Sequence, residues 1–219
     1  MNWPQLLFAK KDPEAPPKPP AYEYDKKSHA YRDRATGYYV KNETILNLTE
    51  SFIKDNVKVR LTDLTDKMLA GTITLEQWQE KAAVVVKQGY LVNSFIGKGG
   101  VQNMTQKDYG AIGGHLAFEY RHLNQFGQDI KNGTATGGQI EIRIGMYGDG
   151  TRKAYFEARE RSIKENKTLT EERRILGQAE HCPDCLEYAS RGWVPVGNTP
   201  APGVACACKH NCKCDKEYR

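Results

Sequence analysis

Not one cysteine occurs in the first 181 residues of this 219-residue chain; all six lie between Cys182 and Cys214. Thiols that merely filled a core would be scattered, so the bias points to a local job. Also missing is any run of eighteen or more apolar residues, and no membrane-spanning helix is expected. The opening MNWPQLLFAKK has neither an apolar export core nor a cleavage-site pattern, which sets the expectation of a soluble, non-exported protein with no membrane partner. No GxxxxGK[ST] loop, no HExxH, no nucleophile elbow and no paired carboxylates in a plausible cleft occur. The expectation is therefore no enzyme and no small-molecule substrate. Charge is modest as well: the net +5 and pI near 8.8 fall short of a dedicated nucleic-acid binder.

What is present begins with those thiols. In a reducing compartment they stay free or bind metal, so disulfides are the weaker explanation. Cys182 and Cys185 form CPDC, a turn short enough for both sulfurs to face one ion. Cys206, Cys208, Cys212 and Cys214 return twenty or more residues later. Two donors on each side of a loop is the layout of a structural zinc site, whose closed tetrahedral shell leaves no position for substrate. One zinc ion is expected, on Cys182 and Cys185 with two of Cys208, Cys212 and Cys214. His181 and His210 read as solvated neighbours or as groups behind the ligands. A redox CxxC is disfavoured because no βαβ pattern surrounds it. The metal has an energetic reason, since a segment broken by Pro195, Pro200 and Pro202 cannot build an adequate apolar core. Bound zinc contributes on the order of 10 kcal/mol or more to such a loop.

At the other end, KKDPEAPPKPPAYEYDKKSHAYRDRATG is proline-rich, charged and poor in aliphatics, and predicts an extended arm over residues 1–40. Trp3, Leu6, Leu7, Phe8, Tyr22 and Tyr24 are its candidate anchors. A helical domain follows over 41–167. Ile45, Leu48 and Phe52, then Leu61, Leu64 and Met68, recur at helical spacing, with Gly71 as the stop. Thr74-Leu-Glu-Gln77 is a capping box opening a helix with Trp78, Ala82, Val85 and Val86 on one side. IGKGG then reads as a hinge or turn. Tyr109, Ile112, Leu116, Tyr120, Leu123 and Ile130 mark a further helix, begun at Thr105 and stopped at Asn132-Gly133. His115 and His122 sit on it without partners at ligand spacing. Ile140, Ile142 and Ile144 alternate like a strand, and Thr151 to Lys167 is helix-forming. Its Arg152, Lys153, Arg159, Arg161 and Lys164 interleave with acids, which predicts a solvated, charge-laced face with a DNA or acidic-protein contact as the alternative. Residues 168–219 form the Cys-rich module. The fold class is mainly α: a helical bundle with an extended Pro-rich N-terminal arm and a small zinc-stapled C-terminal module containing short β segments.

The order of motifs carries a resemblance. GTITLEQW (71–78), a Gly-rich loop, DYGAIGGHLAFEYRHLNQFGQDIKNG (108–133), MYGDGTRKAYFEARE (146–160), LTEERRILGQAEHCPDC (169–185), GWVPVGNTPAPG (192–203) and CKHNCKC (208–214) follow one another. In this order the chain resembles the bacteriophage minor head proteins, also called Mu F-like or head morphogenesis proteins. The resemblance runs from about Asp33 to the C-terminus and is strongest after Leu169.

Such a resemblance implies a structural virion component, present in few copies near the portal and inner capsid, that assists head assembly and DNA packaging or delivery. Its expected partners are the portal protein, the major capsid protein and packaged DNA; it would be made in the host cytoplasm and located in the virion. The family's cysteine pattern falls on Cys182, Cys185, Cys208, Cys212 and Cys214, with Cys206 outside it. The same resemblance implies a helix through MYGDGTRKAY despite the isoleucine alternation, and a helix is the expectation adopted. Two other readings stay open: a head-to-tail connector or neck protein, which would form a closed ring, and a zinc-stabilised DNA-binding packaging protein, whose affinity would fall steeply with salt.

Overall fold

A computed structural model describes residues 21–219. The anchors expected at Trp3, Leu6, Leu7 and Phe8 lie outside the described residues. The chain is mainly helical, with two small sheets flanking the helices in sequence. Residues 21–40, expected as the end of an extended arm, instead open with an antiparallel hairpin of β1 (Tyr22–Asp25) and β2 (Ala30–Asp33). Aromatic pairing explains the difference. Tyr24 and Tyr31 are direct cross-strand partners with edge-on rings 5.1 Å apart, and Asp25 accepts a hydrogen bond from the Lys27 N–H to set the turn. The Tyr31 hydroxyl then donates to the Ile96 carbonyl at 2.6 Å and seats the hairpin on the bundle.

Helix α1 (Asn42–Phe52) runs through a π-helical turn (Ile53–Lys58) into α2 (Val59–Leu69). The wider turn lets Ile53 and Val57 join Ile45, Leu46 and Phe52 in the core. Helix α3 (Leu75–Lys98) starts at the expected capping box: the Gln77 N–H donates to Thr74 Oγ1 and the Thr74 N–H to Gln77 Oε1. Trp78, Ala82, Val85 and Val86 are buried, and Trp78 Nε1 donates to Thr65 Oγ1. Helix α4 (Gln106–Lys131) begins at Thr105 and buries Ile112, Leu116, Leu123, Phe126 and Ile130.

Residues 137–150 form a helix, α5 (Gly137–Gly150), in which Ile140, Ile144 and Tyr147 are buried while Ile142 is 64% exposed. Spacing of four and three, not two, is what the core reads there. Helix α6 (Arg152–Asn166) differs from the solvated face expected of it: Arg152, Ala154, Tyr155, Phe156, Ala158 and Ile163 are buried and the helix lies along α3. The two approach so closely that a Cβ on Gly97 would collide with the Tyr155 carbonyl oxygen. Charges on α6 are paired inside the protein, which is how a polar sequence occupies the centre. Arg161 Nε meets Asp108 at 2.8 Å, Lys153 meets Glu119 at 3.3 Å, and Glu157 meets His115 at 2.7 Å.

The C-terminal module holds a three-stranded antiparallel sheet in the order β4 (Val194–Pro195), β3 (Glu171–Ile175), β5 (Asp215–Tyr218), with α7 (Pro183–Ser190) between β3 and β4 in sequence. Its attachment to the bundle is largely polar. Lys216, fully buried in β5, reaches Glu172 at 2.7 Å, Glu160 of α6 at 2.8 Å and the Thr199 carbonyl at 2.6 Å.

Asp108 is a sensitive point of the bundle, fully buried between Lys98 at 3.1 Å and Arg161 at 2.8 Å. Burial alone would push its carboxyl up, but hydrogen bonds from Arg161, Thr105 and Lys98 outweigh that and hold it below the ordinary carboxylate value. A lowered folded-state pKa gives stability that is full above the unfolded value near 4 and lost as pH falls through the folded one. Replacement Asp108→Ala is expected to cost about 3–5 kcal/mol in urea unfolding at neutral pH by stranding buried cations. The variant should also lose part of the parent's decline in stability below about pH 4.

Candidate metal centre

The CPDC turn is built as a helix start. Cys182 precedes α7 with extended backbone, Pro183 takes the first helical position, where its missing N–H costs nothing, and Cys185 follows on the first turn. The Cys185 N–H donates to the Cys182 carbonyl at 3.0 Å, which turns both side chains toward one side. The late loop is tied to this turn by the Ala207 N–H donating to Asp184 Oδ2 at 2.8 Å and by the Tyr188 hydroxyl donating to the Ala205 carbonyl at 2.9 Å. A short 3-10 turn (Lys209–Asn211) then carries the chain from Cys208 to Cys212, and Cys214 leads directly into β5.

These constraints gather all six thiols. The sulfurs of Cys182, Cys185, Cys206 and Cys208 lie within 4.8 Å of one another, and so do those of Cys185, Cys212 and Cys214. Cys185 is 3.8 Å from Cys208 and 3.7 Å from Cys212, sulfur to sulfur. A tetrahedral ion with bonds of about 2.3 Å to sulfur spaces its ligands about 3.8 Å apart, whereas a disulfide brings them to about 2.05 Å. None of the six is paired as a disulfide. The cluster can hold a metal ion, and it serves as the module's own core: Cys185, Cys206, Cys212 and Cys214 are buried together, with Tyr188, Cys182 and Cys208 around them.

Electrostatics favour a cation at this spot. A hydrogen bond from Cys208 leads the effects that bring Cys182 down to about 6. Burial drives Cys185 well above the ordinary thiol value, and Cys212 is pushed up to about 12, first by its hydrogen bond with Cys214 and then by burial. Cys214 is lowered, chiefly by Cys212 and further by the charge of Arg174. Such a set cannot ionise together without a compensating positive charge, and a coordinated metal supplies it. Arg174 fits the same picture. It is 3% exposed, one amino group donates to the Pro200 carbonyl, and its Nε and second amino group have no hydrogen-bond partner among the described residues. A buried guanidinium with free N–H groups suits an anionic metal–thiolate cluster. Arg152 adds hydrogen bonds from one amino group to the Cys212 and Cys214 carbonyls at 2.9 and 3.2 Å.

All five expected cysteines, Cys182, Cys185, Cys208, Cys212 and Cys214, are in the cluster. Cys206, expected to stand outside, lies among them. His181, expected as a solvated neighbour or a group behind the ligands, places Nδ1 3.7 Å from Cys214 Sγ, whereas His210 faces a cleft of about 520 Å³ beside Met146 and Val204. The dipeptide His181-Cys182 was the available signal for the first; nothing in the spacing singled out Cys206. His115 is paired with Glu157 and stacked on Tyr90, and His122 packs on Phe118, so neither belongs to a metal site among the described residues.

No family model, curated protein or solved structure matches the chain.

Removing metal with a strong chelator under reducing conditions is expected to release the amides of residues 168–219 to hydrogen exchange while α3 and α4 stay protected. Cys185→Ser should reproduce that pattern without chelator. Equal protection of the module in both cases would count against a metal core.

Proposed function

We propose that the protein is a structural component of a bacteriophage head, a minor head protein seated at the portal or inner capsid that assists head assembly and DNA packaging or delivery. The observation carrying this reading is that the motifs behind the family resemblance all take fold-holding positions. GTITLEQW caps α3 and buries Trp78; DYGAIGGHLAFEY starts and lines α4; LTEERRI contains β3; AEHCPDC begins α7 and supplies two thiols; GWVP contains β4; CKHNCKC supplies three more. A protein whose distinguishing residues hold its own shape suits service as a rigid part of an assembly. Zinc is the ion proposed for the cluster, because a thiolate-rich, closed donor set without redox demands matches its preferences.

Of the alternatives, DNA binding loses its main support. The basic residues that would have made the contact, Arg152, Lys153, Arg159, Arg161 and Lys164, are engaged with partners inside the chain.

In purified particles of the source phage, the protein is expected at a small, fixed ratio to the major capsid protein, with its density at the portal vertex. Density forming a closed ring below the portal would favour the neck reading, and absence from particles would end both. Deleting residues 1–20 should leave the helical circular dichroism signal intact and lower incorporation into heads. Unchanged incorporation would remove those residues from the assembly role.

A further inference from the structure

We propose that the sulfur cluster is a two-ion site. One ion is held by Cys182, Cys185, Cys206 and Cys208, and a second by Cys185, Cys212, Cys214 and Nδ1 of His181, with the Cys185 thiolate shared between them. The inference rests on the zinc reading above and is independent of the phage assignment.

The donors exceed what one ion takes. A tetrahedral shell closes at four ligands, and Cys182, Cys185, Cys206 and Cys208 already form such a set by mutual proximity. Cys212 and Cys214 would then be surplus buried thiols, yet they form a second group of their own, and the member common to both groups is Cys185. Its position suits a bridge. It is fully buried and stands one tetrahedral edge from a ligand on either side, 3.8 Å from Cys208 and 3.7 Å from Cys212.

The second group has three sulfurs and needs a fourth donor; Nδ1 of His181 reaches Cys214 but does not lie within 4.8 Å of all three sulfurs, so the imidazole would close the shell by moving toward Cys185 and Cys212 as the ion binds. Its Nε2 lies 2.9 Å from the Gly177 carbonyl oxygen, which can only accept, so Nε2 carries the proton and Nδ1 keeps its lone pair. Nδ1 stands 3.7 Å from Cys214 Sγ. Nitrogen and sulfur bound to one tetrahedral zinc lie about 3.6 Å apart. A ligating imidazole whose other nitrogen donates to a backbone carbonyl is the usual arrangement behind a metal site. That carbonyl is itself fixed against the late loop, since any side chain at Gly177 would meet the Lys213 carbonyl, one residue before Cys214.

Charge supports the same count. With two divalent ions bound, four positive charges stand against six thiolates. The residual negative charge would suit Arg174, two of whose guanidinium nitrogens have no hydrogen-bond partner among the described residues.

The full chain, purified with zinc under reducing conditions, is expected to show two ions per chain by native mass spectrometry and by elemental analysis. After exchange into cadmium-113, two resonances are expected, one for four sulfurs and one for three sulfurs and a nitrogen. His181→Ala should keep the first ion and release the second at about 10–100-fold lower chelator than the parent. One ion per chain, or two ions without a nitrogen-bound resonance, overturns the proposal while leaving the zinc staple intact; no ion overturns both. Should the variant not fold, the cadmium spectrum of the parent decides the matter alone.

Discussion

The last fifty residues contain too little apolar side chain to fold around, and everything in their architecture answers that constraint. Where the helical bundle buries Trp78, Tyr90, Phe126 and Phe156, the module buries sulfur. Thiols are small and only weakly apolar, so their packing alone yields little. A cation held by these atoms would add directional bonds and turn them into a rigid centre.

The seam between module and bundle follows from the same shortage. With Ala201 the one buried member that the module contributes to the main apolar cluster, contact is made through charge. Lys216 enters between Glu160 and Glu172, and Arg152 spans from α6 to the carbonyls of Cys212 and Cys214. Helix α6 is thus polar in composition and central in position. On one side it packs Tyr155 and Ala158 onto α3; on the other it supplies the ionic groups that seat the sheet. Buried ion pairs give little net stability but tolerate few alternative partners, which suits a joint that has to set one orientation.

Much of this was legible in advance where local chemistry decides. The capping box at Thr74, the helix start at Thr105, the apolar stripes of α3 and, apart from exposed Tyr109, of α4, and the paired thiols on either side of a loop are short-range signals that sit where their spacing put them. What escaped depends on partners distant in sequence. Nothing in YEYDKKSHAYRD announces that Tyr31 will find the Ile96 carbonyl, sixty-five residues away. The charges of α6 look solvated until Asp108, Glu119 and Lys216 are brought alongside. Alternation at Ile140, Ile142 and Ile144 suggested a strand because three points fit a period of two; Tyr147, burying at the next helical position, resolves it. His181 and Cys206 were visible as residue types, yet their placement depends on where the loop from 196 to 214 closes.

Strand β3 pairs with β5, and the CPDC turn meets donors that come twenty or more residues after it. During synthesis at about 5–20 residues per second, the bundle has all its helices before the late cysteines exist. Helices that close on near neighbours form fast, while a sheet whose flanking strand arrives last waits. Two thiols, a buried-strand edge, Glu160 and Arg152 therefore stand open for an interval that the helices do not share. The polar seam makes that interval tolerable, because a carboxylate and an arginine facing water are less prone to aggregate than an uncovered patch of leucine would be.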